Sequence, residues 1–431
     1  MSRLLLFALA IMLLAGLPAE TAFAQTAAPA FDVEQASRAY IDSLQGADLE
    51  KSNNYFEGGY WLILWGALIG VLVDFVILQS RLSSRFRDWA ARVTTREWLQ
   101  PGIYALPYVI AGFLFTLPWT IYTGFFREQQ YGLMSQGFGA WFGEQMIGLV
   151  ISLIVFPLLI MAIFAVIRRS PKRWWIWGTG VIAGFLFIGL LLGPVFIAPL
   201  FNDYTEMADG PLRDRIVAMA AEYDISGDHI YVFDQSKQHK RISANVSGVG
   251  PTIRISLNDN LLERTGPDEV AAVMGHEMGH YVLGHTWRIV LVLALIVALG
   301  LFLVAQLAPR LIERHGARWG VGNISDPAAI PLLSLILTAY FFLATPAINS
   351  LIRINEIEAD RFGLDTAREP DGFAKVAMRL SEYRKIEPGP IEEMLFFDHP
   401  SGATRVRGAM QWKADHVKNP AMLNPGRLEQ E

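Results

Sequence analysis

Six apolar stretches, each about twenty residues long, set what this chain can fold into; they run near 60–80, 103–124, 146–167, 176–200, 288–308 and 329–350. At the rise of an α-helix, twenty residues match the hydrocarbon thickness of a bilayer. No water is available there to pair with backbone N–H and C=O groups, so a helix is the form such stretches take. The expected fold class is mainly α: a polytopic membrane helical bundle of six spans, plus an N-terminal signal or seventh helix, with a small α+β domain. A chain of 431 residues that is 52% hydrophobic and 18% charged agrees with that reading. Pro107, Pro118, Pro157 and Pro346 fall inside spans, where neighbouring helices re-satisfy the backbone. Asp74 lies in the first span and is expected either to face the bundle interior or to pair with an arginine.

The start of the chain, "MSRLLLFALAIMLLAGLPAETAFAQ", places an apolar run between Arg3 and Ala22-Phe23-Ala24. This reads as a secretory signal over 1–24, with a retained helix as the alternative. Residues 25–58 read as an exported linker carrying a short helix. Between spans, arginine is concentrated in "RLSSRFRDWAARVTTREW", "RRSPKRWW" and "PRLIERHGARW", whereas "FREQQYGLMSQGFGAWFGEQ" has only Arg127. The positive-inside rule makes the three basic loops cytoplasmic. The segments 201–287 and 351–431 then share the outer face, expected to be the periplasmic side of a bacterial inner membrane. The remaining divisions are a four-span domain over 59–200 and a two-span hairpin over 288–350.

In the first outer segment, Leu212, Ile216, Met219 and Ala220 recur at helical spacing. "HIYVFDQS" reads as a short strand, and "PTIRISLND" alternates Ile253, Ile255 and Leu257 with polar residues, as a half-buried strand does. "GPDEVAAVMGHEMGHYVLGH" opens a helix at Pro267. The net charge of −5 leaves no basic domain for a nucleic acid. The absence of cysteine excludes disulfides, thiolate–metal sites and cysteine nucleophiles.

His276-Glu277-x-x-His280 is an HExxH motif. Residues four apart share a helix face, so both imidazoles reach one ion, expected to be Zn2+, and Glu277 can act as general base on a water. A catalytic zinc needs a third protein ligand. His285 is out of register for the extended HExxHxxGxxH pattern. On a continuous helix it points away from the metal, as a capping or headgroup-level residue before the fifth span. A carboxylate from "NSLIRINEIEADRFGLD" is the better candidate. Glu356 and Asp360 share a face and Glu358 points roughly opposite. One carboxylate would bind the ion and a second would orient a histidine ligand through its other N–H.

With these motifs in hand, the chain resembles the type I CAAX prenyl endopeptidases, membrane zinc proteases of the gluzincin class, from about Pro118 to Arg407. "SKQHKRISANVSGVG" resembles the family's SKR…SNAYxxG segment, "RINEIEAD" its RxxExxAD motif and "DHPSGATR" its HPxxxxR motif. "PLFNDYTEMADGPL" resembles the stretch leading into the catalytic domain. The resemblance implies Glu356 as third ligand, Asp360 as the orienting carboxylate, and Arg353 as the motif arginine. It implies that His399 contacts the substrate carbonyl or developing oxyanion with Arg405 in support, and that Asn245 holds a substrate backbone. Val246 stands where the family usually has Ala, and "SGVG" lacks the aromatic pair of eukaryotic members, which bears on subsites rather than chemistry. Eukaryotic members carry seven spans around a chamber and a cytosolic zinc. The arginine loops here argue for an outward zinc and against prenylated cytosolic substrates.

The expected function is a zinc-dependent integral-membrane endopeptidase with one Zn2+ per chain, acting on membrane-associated or periplasmic proteins or peptides, with membrane lipids around it and no nucleic acid. The alternative is a non-catalytic zinc-binding membrane sensor or chaperone. The base Glu277 beside His276 argues against that, because a structural site has no use for it.

Overall fold

The structure is a computed structural model that describes residues 31–248, 252–418 and 420. The expected signal 1–24 lies outside the described residues. The described residues open with α1 (Val33–Ile41), α2 (Gly46–Gln79), α3 (Leu82–Val93) and α4 (Gln100–Ile121). A π turn at Tyr122–Phe126 carries α4 into α5 (Arg127–Gln130), followed by α6 (Phe138–Arg169) and α7 (Trp174–Leu192). The extramembrane domain contributes β1 (Tyr204–Glu206), α8 (Pro211–Ala221), β2 (Ile230–Phe233), β3 (Ala244–Ser247), β4 (Arg254–Asn258), α9 (Asp259–Arg264) and α10 (Pro267–Val282). Two long helices, α11 (His285–Trp319) and α12 (Ile330–Ala367), precede α13 (Pro370–Leu380), α14 (Pro390–Phe396) and α15 (Gly402–His416).

Among the described residues, six helices are long and apolar enough to cross a membrane: α2, α4 with α5, α6, α7 with its continuation to Leu200, α11 and α12. One buried cluster ties them together, with Leu78, Tyr104, Phe164, Trp174, Leu301 and Ile330 drawn from all six. Asp74 is buried, accepts a hydrogen bond from the Tyr108 hydroxyl at 2.7 Å and has Ser334 as a further side-chain partner; among the described residues no arginine pairs with it. The arginine-rich loops gather at one end of this bundle. Arg81 donates to the carbonyls of Arg318 (2.8 Å) and Ala317 (3.0 Å), and Arg168 to that of Glu97 (2.6 Å).

At the other end the helices outrun the bilayer. The 38 residues of α12 span about 57 Å, well beyond a hydrocarbon core, so its last turns stand in the extramembrane domain. The divisions expected after 58, 287 and 350 therefore fall within continuous helices, because polar residues continue the helical backbone where the apolar run stops. The segment expected as a linker also packs: Phe31, Tyr40 and Ile41 are buried against Phe373, Val406 and Met410. The Tyr40 hydroxyl donates to Asp371 at 2.7 Å, and Asp32 caps α1 by accepting from the Gln35 N–H.

The four-stranded sheet has the order β1-β2-β4-β3. β2 and β4 are parallel, whereas β1 and β3 pair antiparallel to their neighbours. β3 is therefore an edge strand, with Asn245 opposite Ser256. Buried Ile255, Leu257, Val270, Met274 and Met278 seat α10 on the sheet. The N-terminus of α10 is closed by Glu269, which accepts from the Gly266 N–H at 2.8 Å.

Candidate metal centre

α10 and α12 cross with almost no side chain between them. A Cβ on Gly363 would lie 2.7 Å from the His276 backbone nitrogen, and one on Gly275 would lie 2.9 Å from the Gly363 carbonyl oxygen. Glycine at both positions lets the backbones touch, which brings the carboxylates of α12 to the histidines of α10. The Nε2 atoms of His276 and His280 are 3.1 Å apart. Glu356 places Oε2 3.3 Å from His276 Nε2 and Oε1 3.2 Å from His280 Nε2. Donors at zinc–nitrogen and zinc–oxygen distances around a tetrahedral ion stand roughly 3.3 Å from one another. The His-His-Glu group, mutually close and borderline-soft, fits zinc in donor type and in separation.

The surrounding groups fix these side chains. Asp360 Oδ1 lies 2.8 Å from His276 Nδ1, which directs the other ring nitrogen toward Glu356. Arg405, itself buried, donates to both oxygens of Asp360 at 2.9 and 2.8 Å and to Glu356 Oε2 at 3.1 Å. One guanidinium thus neutralises two buried carboxylates. A cavity of about 350 Å3 opens beside the group; Glu277 lines it with His276, Glu356, His399 and Arg405. Burial lifts the Glu277 carboxyl above its ordinary range, which suits a general base.

The chain matches two family models, peptidase family M48 over residues 206–413 and the CAAX prenyl protease N-terminal region, five membrane helices, over residues 33–203. Together they take in both the extramembrane domain and the bundle. The chain belongs to peptidase family M48. An uncharacterized metalloprotease of Bacillus subtilis is 26% identical across 85% of this chain and 86% of its own length. Human CAAX prenyl protease 1 homolog is 25% identical across 85% of each chain. The crystal structure of S. mikatae Ste24p superposes with a TM-score of 0.72 at 19% identity, covering 88% of this chain and 96% of that one, and so shares its fold. As an M48 peptidase the protein is a multi-pass membrane metalloendopeptidase, which removes the sensor or chaperone alternative.

The remaining expected residues of this M48 peptidase are placed unequally. His399 reaches the site, with Nε2 3.3 Å from Glu356 Oε2 and Nδ1 2.8 Å from Asp398 Oδ1. Asp398 steadies the ring as a carboxylate partner to imidazole. Arg353 does not touch the His-His-Glu group. Its guanidinium donates to the carbonyl oxygens of Glu393, at 2.9 Å, and Phe397, so it clamps the turn that carries His399. Asn245 lies on β3 one residue beyond Ser243 and Ala244, which line the cavity, and is not itself in the wall.

His285 corrects the sequence expectation. It is 1% exposed, not at headgroup level, and its Nδ1 lies 2.9 Å from His280 Nδ1. The register argument assumed a continuous helix. α10 instead stops at Val282, and Gly284 takes a left-handed conformation (φ 66°) that turns His285 back onto the site. His285 Nε2 stands 3.1 Å from Glu358, which also accepts from Arg288 at 2.7 Å. A glycine just past the second histidine was the available sign that the helix ends there.

Proposed function

We propose that this M48 peptidase binds one zinc ion through His276, His280 and Glu356 and hydrolyses peptide bonds of membrane-associated or periplasmic proteins and peptides. The observation that carries the reading is the convergence of those three side chains beside a cavity that also holds Glu277. Zinc, when bound, supplies a Lewis acid for the scissile carbonyl and for water. Glu277 takes the proton from the attacking water and returns it to the leaving amine. His399, held through Nδ1 by Asp398, is placed to reach the developing oxyanion. Asp360 and Arg405 hold the ligand geometry. The free edge of β3 suits an extended peptide added as a further strand, with the Asn245 amide alongside it.

One feature supports an outward-facing site in a bacterial inner membrane. The three arginine loops lie together at the end of the bundle remote from the zinc ligands, as a cytoplasmic end would. The relatives are named for CAAX prenyl protease activity, which suits a cytosolic face; in this chain the same machinery would meet periplasmic substrates. Substituting Glu277→Gln should leave zinc content intact and abolish cleavage of peptides. Undiminished turnover in that variant removes the assignment. Because the chain has no cysteine, single cysteines introduced within 201–287 report orientation directly. Labelling by a membrane-impermeant reagent from the cytoplasmic side alone overturns it.

A further inference from the structure

The cavity beside the proposed zinc ligands has both apolar and cationic lining. Val273 of α10 with Phe373, Val376 and Leu380 of α13 give it an apolar wall, and Arg241 and Arg384 give it a cationic end. Its three arginines are not equivalent. Arg405 is bound to Asp360 and Glu356. Arg241 is bound to Glu128 and to the Tyr55 hydroxyl. The Arg384 guanidinium alone has no hydrogen bond or ion pair among the described residues.

Arg384 is not loosely placed. The Ser52 hydroxyl donates to the carbonyls of both Ser381 and Arg384, the latter at 3.1 Å, which fixes the backbone just after α13. Tyr383 beside it is buried. Burial and the nearby Arg405 charge weaken its hold on its proton, yet a guanidinium stays charged in proteins. Asp398 and Glu356 attract it only from beyond ion-pair distance, and a half-buried cation without a direct partner is stabilised by an incoming anion. The planar fork matches a carboxylate in two parallel hydrogen bonds.

We propose that Arg384 is the receptor for a substrate carboxylate, so that the enzyme selects peptides whose apolar side chain lies against α13 and whose anionic group lies within a few residues of the scissile bond. This rests on the protease reading of the site. The carboxylate is either the C-terminus of the substrate or an acidic side chain near the cleaved bond.

The test uses the full-length zinc-loaded protein in detergent and four matched fluorogenic peptides. One ends in a free carboxylate and one in an amide; two further amides carry Glu or Gln near the scissile bond. The wild type is expected to favour a carboxylate-bearing peptide over its neutral match by about tenfold or more in kcat/KM, mostly through KM, as a charge-assisted hydrogen bond would give. Preference for the free C-terminus alone identifies that source, and preference for Glu over Gln identifies the side chain. In Arg384→Gln the preference should collapse toward unity, and Arg384→Lys should keep part of it, with zinc content unchanged in both. Equal cleavage of charged and neutral peptides by the wild type overturns the Arg384 assignment and leaves the protease reading standing. So does an equal loss on all four peptides in Arg384→Gln. A zinc-loaded wild type that cleaves none of them overturns both.

Discussion

The Nδ1 atoms of His280 and His285 lie 2.9 Å apart, and beyond them His285 Nε2 meets Glu358 at 3.1 Å. With Nε2 of His280 committed to the proposed zinc, its proton would sit on Nδ1 and be donated to His285 Nδ1. His285 would then carry its own proton on Nε2 and donate it to Glu358. The other proposed ligand, His276, reaches a carboxylate directly through Asp360. Each ligand is thus oriented by a carboxylate of α12, and each carboxylate is held by an arginine, Arg405 or Arg288.

His285→Gln and Glu358→Gln should therefore weaken zinc binding by about 10–100-fold, the range seen when a partner of a ligand histidine is lost. Competition against a chelator of known affinity measures this. Cleavage under saturating zinc should recover much of the wild-type rate, because neither residue reaches the substrate. Unchanged zinc affinity in both variants would sink the orienting role.

Arg405 supports a different property. Arg405 is 8% exposed and spans two buried carboxylates, so its removal takes away the one guanidinium that both share. Arg405→Met should lower the stability of the extramembrane domain by about 3–5 kcal/mol, as loss of one partner in a buried ion pair does. Arg405→Lys should rescue little, because an ammonium cannot make the fork of parallel bonds to Asp360. Thermal unfolding with and without zinc reads both effects.

Much of this site was legible from spacing. The i, i+4 rule places His276 with His280, and Glu356 with Asp360, and it describes one helix at a time. The missing steps are those that depend on where a helix ends or on what a distant segment supplies. Gly284 ends α10 and changes the direction of His285. Arg353 reads as a site residue in its motif, but its acceptors are the carbonyls of Glu393 and Phe397, and no side-chain pattern signals a backbone acceptor that far along the chain. Tyr40 finds Asp371 across more than three hundred residues, so a segment that reads as a polar linker packs into the domain. The spans were visible because apolar length alone defines them. The strands β1 and β3 were not read from hydrophobic patterning, since "YTE" and "ANVS" carry too little of it.

The contact between Gly275 and Gly363 makes site assembly sensitive to a single methyl group. Gly363→Ala would place its Cβ against the His276 backbone at 2.7 Å, where nothing flexible can yield. The helices must separate, at about 1–3 kcal/mol for overpacking, and Glu356 moves with α12 away from the histidines. Zinc content of the purified variant should fall. Gly408 in α15 is the control: a Cβ there meets nothing within 4 Å, so Gly408→Ala should stay within about 1 kcal/mol of the wild type, on the stabilising side.

Arg353 separates positioning of His399 from metal binding. It clamps the carbonyls of Glu393 and Phe397 and touches none of the three ligands, so Arg353→Met should leave zinc affinity near the wild-type value. The turn that carries Asp398 and His399 loses its anchor, and a small displacement of His399 weakens its reach toward the reacting carbonyl. A fall of about 10–100-fold in kcat with little change in KM is expected, as misplacement of a catalytic group produces. His399→Ala should lower kcat at least as far, and the double variant should add little, because both substitutions remove the same interaction. Multiplicative losses in the double variant would show that Arg353 acts on something other than His399.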